Sequence, residues 1–456
     1  MKIKFAAVLL IIIMLFSGFG IFASPKVSPA EKLEINISSG SDKLFDGNNM
    51  TFETLAGKIH LNFNKNARYI YLVFLKDAVS FSVGNEKVEN NFLHCLVDLK
   101  SLKTGITNSV DLEFENAKVS EISAYSDGEL PAEAEDWKAP CEKADLLLVS
   151  THADDEQLFF AGILPLYAGQ KKLRVQVAYF TNHNADFRRN HELLSGLWTA
   201  GVRNYPEIGE FPDAWAENKE QALINLSKAG FSYSDTVGFQ TYLLRRYKPL
   251  VAVGHDFSGE YGHGQHILNA ASLSEAVKNS GDENFYPESA QKFGIHTVKK
   301  FYVHLYAQNE ITLDIDAPLE NFGGKTAFEI TKDGFKKHIS QQNTWFREWL
   351  CGTDGNRAEA SSIKKYSPCK YGLYFSSAEK EDVLKNDFFE NIVTYDEQEK
   401  AEIKEEKIKE KPAKEKSEVK AEKKNQGGKI FYILIPVLLL AATVTAFFFI
   451  KKSNKN

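Results

Sequence analysis

The stretch Asp145–Gln157, DLLLVSTHADDEQ, decides the fold. Leu146 to Val149 form a short, unbroken apolar run, the pattern of a strand buried on both faces in a parallel sheet. His152, Asp154, Asp155 and Glu156 stand directly behind it. In an open α/β sheet, ligands bind beyond the carboxyl ends of the strands. One histidine and three acids at that position therefore face a crevice, and a helix is predicted from Glu156 to Gly169.

Working outward from that strand, the pattern alternates. A strand is predicted over Leu173–Thr181, and a helix from about Phe187 to Ala200, stopped by Gly201. A short strand near Ile208 follows, then helices over Glu217–Ala229 and Ser234–Tyr247. PLVAVG, ending at Gly254, is the next strand, His263–Lys278 the next helix, and KKFYVHLY, from Lys299, a late strand. Strands alternating with helices predict an α/β domain over residues 144–395, with a Rossmann-like, mostly parallel sheet covered by helices on both faces. Asn321 to Leu350 reads as a helical lid or packing element.

Upstream, residues 25–126 hold strand-like runs such as KIHLNF, YIYLVFL and FLHCLVDL, separated by Gly, Asn and Asp. They predict an antiparallel β-sandwich. LFDGNNMTFETL, from Leu44, resembles the opening of discoidin-like, galactose-binding sandwich domains, which implies carbohydrate binding. Residues 127–143 form a linker rich in Pro, Ala and acids, with Trp137 placed to pack it against the following domain.

The ends suggest a membrane. Residues 1–24 carry Lys2 and Lys4, an apolar run from Phe5 to Phe16 and small residues up to Ser24, the layout of a secretory signal with cleavage after Ala23. Ile430 to Ile450 is free of charge and long enough to span a bilayer as a transmembrane helix. Lys451, Lys452 and Lys455 then favour a cytoplasmic tail, 451–456. Residues 396–429, nearly all Lys, Glu, Ala and Ile, read as a charged stalk. The expected arrangement is a single-pass membrane protein with its body outside. A net charge of -6 gives no signature of a nucleic-acid partner. Cys351 and Cys369 flank a polar loop and are the pair expected to bridge in an oxidising compartment; buried free thiols fit the spacing equally well.

A second cluster lies behind the strand that ends at Gly254. VAVGHDFSGEYGHGQH, Val251 to His266, contains His255, Asp256, Glu260, His263 and His266. The two clusters are distant in sequence, but both follow strands of one sheet. Two imidazoles and a carboxylate make a three-ligand site that leaves a position open for water. Consecutive aspartates allow one to hold the metal while the other handles a proton.

STHADDE with the later GHGQH resembles the LmbE-like, PIG-L deacetylase family, whose members carry His-Pro-Asp-Asp-Glu and a later His-x-x-His. Arg189 and Glu192 match that family's Arg-x-x-Glu helix. The resemblance implies a zinc-dependent hydrolase that removes N-acetyl groups from an amino sugar or glycan. It implies His152, Asp155 and His266 as metal ligands and Asp154 as general base. His263 would stabilise the oxyanion or protonate the leaving amine. Arg189 would contact the sugar or its aglycone, and Asp213 the sugar hydroxyls. Two His and one carboxylate also suit Fe2+. Ala153 stands where the family has proline, and TNHNAD lacks the usual glycine, with His183 in that loop. Trp198, Trp215, Tyr205, Tyr261 and Phe211 supply aromatic faces near the cleft. The alternative reading is a surface carbohydrate-binding protein with an inactive deacetylase-like body.

Overall fold

The computed structural model describes residues 28–380 and 383–405. The expected signal segment, the transmembrane helix, the tail and most of the stalk lie outside the described residues. Among the described residues, no helix is long and apolar enough to cross a membrane.

The fold is mixed α/β with two seven-stranded sheets. The first holds β1 (Ile35–Ile37), β2 (Glu53–Ala67), β3 (Tyr69–Phe74), β4 (Phe81–Val83), β5 (Glu86–Val88), β6 (His94–Asp98) and β7 (Thr107–Tyr125). All its pairings are antiparallel, in the order β1-β2-β7-β3-β6, with β4 on β7 and β5 on β4. The sandwich expectation implies two sheets, yet hydrogen bonds join these strands into one. The reason is β7: its long run pairs with β2 up to Val119 and with β3 from Val119 to Tyr125.

The second sheet holds β8 (Leu146–Ser150), β9 (Val175–Asn182), β10 (Glu207–Pro212), β11 (Val251–Gly254), β12 (Lys300–His304), β13 (Glu310–Thr312) and β14 (Lys370–Ser376), in the order β10-β9-β8-β11-β12-β14-β13. β10 to β12 pair in parallel, and β14 adds antiparallel to β12 and β13. Strand order reverses between β8 and β11, the topological switch point where α/β sheets open a crevice. Among the described residues the helices include α1 (Arg188–Thr199), α2 (Lys219–Lys228), α3 (Tyr233–Tyr247), α4 (Gly264–Asn279), α5 (Pro287–Phe293), α6 (Ala327–Phe335) and α7 (Trp345–Cys351).

β8 shows why both faces are covered. Its side chains alternate across the sheet. Leu146 and Leu148 join a core with Leu193, Leu194 and Leu197 of α1 and Phe328 and Phe335 of α6. Leu147 and Val149 join another with Leu243 and Leu244 of α3 and Leu273 and Ala276 of α4. The first core continues into the N-terminal sheet, and buried Trp137 packs edge-on against Trp198 and Tyr205. The described residues up to Tyr395 belong to one compact unit.

Two expectations fail here. The helix over Glu156–Gly169 is a series of turns followed by a π-helical turn, Pro165–Gln170. Gly162 breaks it: its φ is +80°, and a Cβ there would lie 2.5 Å from Ile315. The Cys351–Cys369 bridge is not formed; all four cysteines are free thiols.

Candidate metal centre

Each of the five parallel strands delivers a side chain to one crevice. His152, Asp154 and Asp155 follow β8, His183 follows β9, Asp213 follows β10, His255 follows β11, and His304 ends β12. α4 starts at the same point, with His263 as its N-cap and His266 in its first turn. Apart from partly exposed Asp213, these groups are buried.

Among the described residues, two groups of potential ligands cluster tightly: His152, His263 and His266, and Asp155, His255 and His266. Hydrogen bonding sorts them. Thr151 N–H donates to His255 Nε2 at 3.0 Å, so the lone pair of that nitrogen is already engaged. Gln265 N–H donates to His263 Nδ1 at 3.1 Å, so a neutral His263 carries its hydrogen on Nε2. Neither ring has a free lone pair.

His152 and His266 do. His152 Nε2 donates to Gln265 Oε1 at 3.0 Å, and that amide is fixed by Ala214 N–H and Pro212 C=O. His266 Nδ1 donates to Glu260 Oε2 at 2.8 Å. The free nitrogens, His152 Nδ1 and His266 Nε2, lie 3.1 Å apart, and both are 3.3 Å from Asp155 Oδ2. A tetrahedral ion about 2.0 Å from each ligand would hold its ligands about 3.3 Å apart. Three acceptor atoms converging at that spacing fit a divalent cation. The competing occupant is a proton: burial lowers the His266 imidazole, but Asp155 and Glu260 outweigh it and raise it to about 10.

Behind these three groups sits Glu260, fully buried. It accepts from His255 Nδ1 at 2.7 Å, His266 Nδ1 at 2.8 Å and His304 Nδ1 at 2.6 Å. Burial alone would protonate it, yet its imidazole partners hold it ionised, well below the usual carboxylate range. A carboxylate behind a ligand histidine fixes the tautomer and increases the ring's basicity. Phe159 and Phe160 wall this layer off from water.

Asp154 lies at the front. Its φ of +122° is unusual for a residue with a side chain, a strain of the kind that accompanies functional positions. Burial pushes its carboxyl up to about 7, although Arg189, 3.4 Å away, pulls the other way. Its N–H donates to Glu156 Oε2 at 2.9 Å, and Glu156 Oε1 is 3.0 Å from buried His338. His263 is pushed down to about 2 by burial and the neighbouring His152 and His266 rings, so it is a neutral hydrogen-bond donor.

Arg189 is mostly buried; it donates to Asp213 at 2.6 Å and to the Ala153 carbonyl. Glu192 accepts from the N–H and hydroxyl of Ser340, which ties α1 to the turn after α6. Against the pull of burial, His152, His183 and Arg189 hold Asp213 well below the usual carboxylate range. The roles of Glu260, His304 and His338 were not read from the sequence. His304 ends a parallel strand, the same signal that marks His152. Glu260 stands in the second cluster of the sequence, but nothing in the Gly259–Gly262 loop marks it as buried.

The two departures at Ala153 and His183 turn out to be one feature. Ala153 N–H donates to His183 Nε2 at 2.9 Å, and His183 Nδ1 donates to Asp213 at 3.1 Å. Proline has no N–H to give, so the imidazole and the alanine amide together brace the turn. Ala153→Pro is expected to weaken binding of an added divalent cation about tenfold, since it leaves a buried acceptor without a donor. His183→Gly alone is expected to weaken it similarly, and the double variant to lose less than the sum. Competition titration with a chelator reads this; strictly additive losses would show the two positions to be independent.

No family model and no curated protein matches the chain. Solved structures match parts of the chain at low identity. N,N'-diacetylchitobiose deacetylase from Pyrococcus horikoshii is 15% identical, with a TM-score of 0.37 over 51% of this chain and 85% of that one. A teicoplanin deacetylase is 14% identical, with a TM-score of 0.30 over 46% and 88%. A 4-carboxy-2-hydroxymuconate hydratase from Pseudomonas putida is 14% identical, with a TM-score of 0.33 over 52% and 99%. Likeness at this level leaves the chemistry to be argued from the residues.

Proposed function

We propose that this chain is a zinc-dependent hydrolase that removes N-acetyl groups from an amino sugar or glycan. The observation that carries the reading is the convergence of His152 Nδ1, His266 Nε2 and Asp155 Oδ2 within 3.1–3.3 Å, with Asp154 beside them. Zinc suits this donor set, and its chemistry is to lower the pKa of water and polarise a carbonyl. The remaining work falls to the protein. Asp154 accepts a proton as the water oxygen bonds to the acetyl carbon. It returns that proton to the nitrogen as the C–N bond breaks, freeing acetate and an amine. His263, a neutral donor, stabilises the developing oxyanion. Asp213 and Arg189 hold the rim that the sugar meets. The two apolar ends, Phe5–Phe16 and Ile430–Ile450, support a body outside the membrane.

The test combines metal content and amine release on the purified protein. About one zinc per chain, with free amine produced from N-acetylglucosamine or its oligomers, is expected. Absence of bound metal after zinc is supplied, together with no amine release, would overturn the reading.

A further inference from the structure

Beside α7 lies a groove of about 540 Å³, lined by Trp345, Glu348, Trp349, Asp354, Asn356 and Arg357. We propose that it is a subsite for a second sugar ring, so that the substrate is an oligosaccharide reaching past the ring that is deacetylated. This rests on the deacetylase reading and names its substrate class.

The first argument is continuity. The Tyr261 ring is 5.6 Å from His263 and 5.5 Å from His266. Trp345 is 5.6 Å from Tyr261, and Trp349 is 6.4 Å from Trp345. Aromatic rings thus run unbroken from the candidate metal site into the groove. Trp215 stacks on Tyr261 at 6.1 Å and lies 4.7 Å from His263.

The second argument is exposure. Trp345 is 48% exposed and Trp215 62%. Large aromatic faces left in water beside a crevice are suited to a partner that is apolar on one side and wet on the other. A pyranose is such a partner: its C–H face packs on a ring while its hydroxyls need hydrogen bonds. Glu348, Asp354 and Asn356 offer polar groups for those hydroxyls. Arg357 adds a guanidinium to the groove wall, oriented by the bond from its Nη1 to the Ser362 hydroxyl at 2.9 Å.

The third argument is rigidity. Tyr261 adopts a left-handed backbone, φ 48° and ψ 20°, between Gly259 and Gly262, both also at positive φ. A bulky residue holds that conformation only when its surroundings enforce it. Phe346 packs against Tyr261, buried Leu350 anchors α7, and Trp349 Nε1 donates to the Lys365 carbonyl. The platform is set before the ligand arrives.

The experiment compares N-acetylglucosamine with its β-1,4-linked tetramer on the full, zinc-loaded chain. For Trp345→Ala, the tetramer-to-monomer ratio of kcat/KM is expected to fall about tenfold, the scale of one aromatic contact. Arg357→Gln is expected to lower it less. An unchanged ratio in both variants overturns the subsite. Tetramer binding, followed by calorimetry, separates this from the activity itself. If neither sugar is deacetylated, tetramer binding that Trp345→Ala removes still supports the groove as a saccharide site. Absence of tetramer binding to the unaltered chain overturns it.

Discussion

Asp154→Asn is expected to keep the bound cation and to lower turnover by about 10²–10⁴-fold, the usual weight of a positioned general base. The substitution is chosen for the backbone as much as for the chemistry. Asp154 holds a φ of +122°, and asparagine is among the residues that tolerate positive φ best. The amide keeps an oxygen for Arg189 and leaves the N–H bond to Glu156 in place. What it cannot do is take up a proton. The native carboxyl is well placed for that task, because burial pushes it up to about 7 where an ordinary aspartate would be a far weaker base. Metal content, thermal melting and amine release on one preparation separate the possibilities. Retained zinc and melting with lost turnover assigns the base. Turnover within about fivefold of the native value would move that role to another residue.

The convergence of His152, Asp155 and His266 was legible because it obeys a rule that needs no coordinates. Chemistry-bearing residues directly behind a strand converge when the strands share a parallel sheet. His152 and Asp155 announce themselves behind β8, and His266 opens the helix that follows β11. Burial was not legible. Glu260 stands among Gly259, Tyr261 and Gly262, a composition typical of a solvated turn, yet it is fully buried beneath three imidazoles. His183 reads as a polar loop residue, and its use appears only when the Ala153 amide is seen to donate to it. The helix expected over Glu156–Gly169 fails at Gly162, which holds a positive φ, with Pro165 close behind. The antiparallel addition of β14 to β12 is a long-range pairing that local pattern does not encode. In each case the missing information is tertiary: which face is covered, and by what.

His266→Ala is expected to empty the metal site, whereas His263→Asn is expected to leave it loaded. The two residues are three apart at the start of one helix and equally near His152, with ring separations of 5.1 and 4.8 Å. Distance alone does not choose between them. Their hydrogen bonds do. His266 spends its Nδ1 hydrogen on Glu260 and keeps the Nε2 lone pair facing Asp155 at 3.3 Å. His263 spends its Nδ1 lone pair on the Gln265 amide as the helix cap. Binding a cation through Nε2 would then require an imidazole stripped of both hydrogens, which neutral solution does not supply. Loss of an outer-shell partner typically weakens metal binding about 10–100-fold, and removal of His266 takes a ligand and its carboxylate link together, so the loss is expected to exceed that range. Folding should survive, because Glu260 keeps His255 and His304 as partners. Zinc stoichiometry and chelator competition on both variants decide the matter. An emptied site in His263→Asn with a loaded one in His266→Ala would exchange their roles and require His263 to drop its cap, a change that would show as fraying of the first turn of α4 in amide exchange.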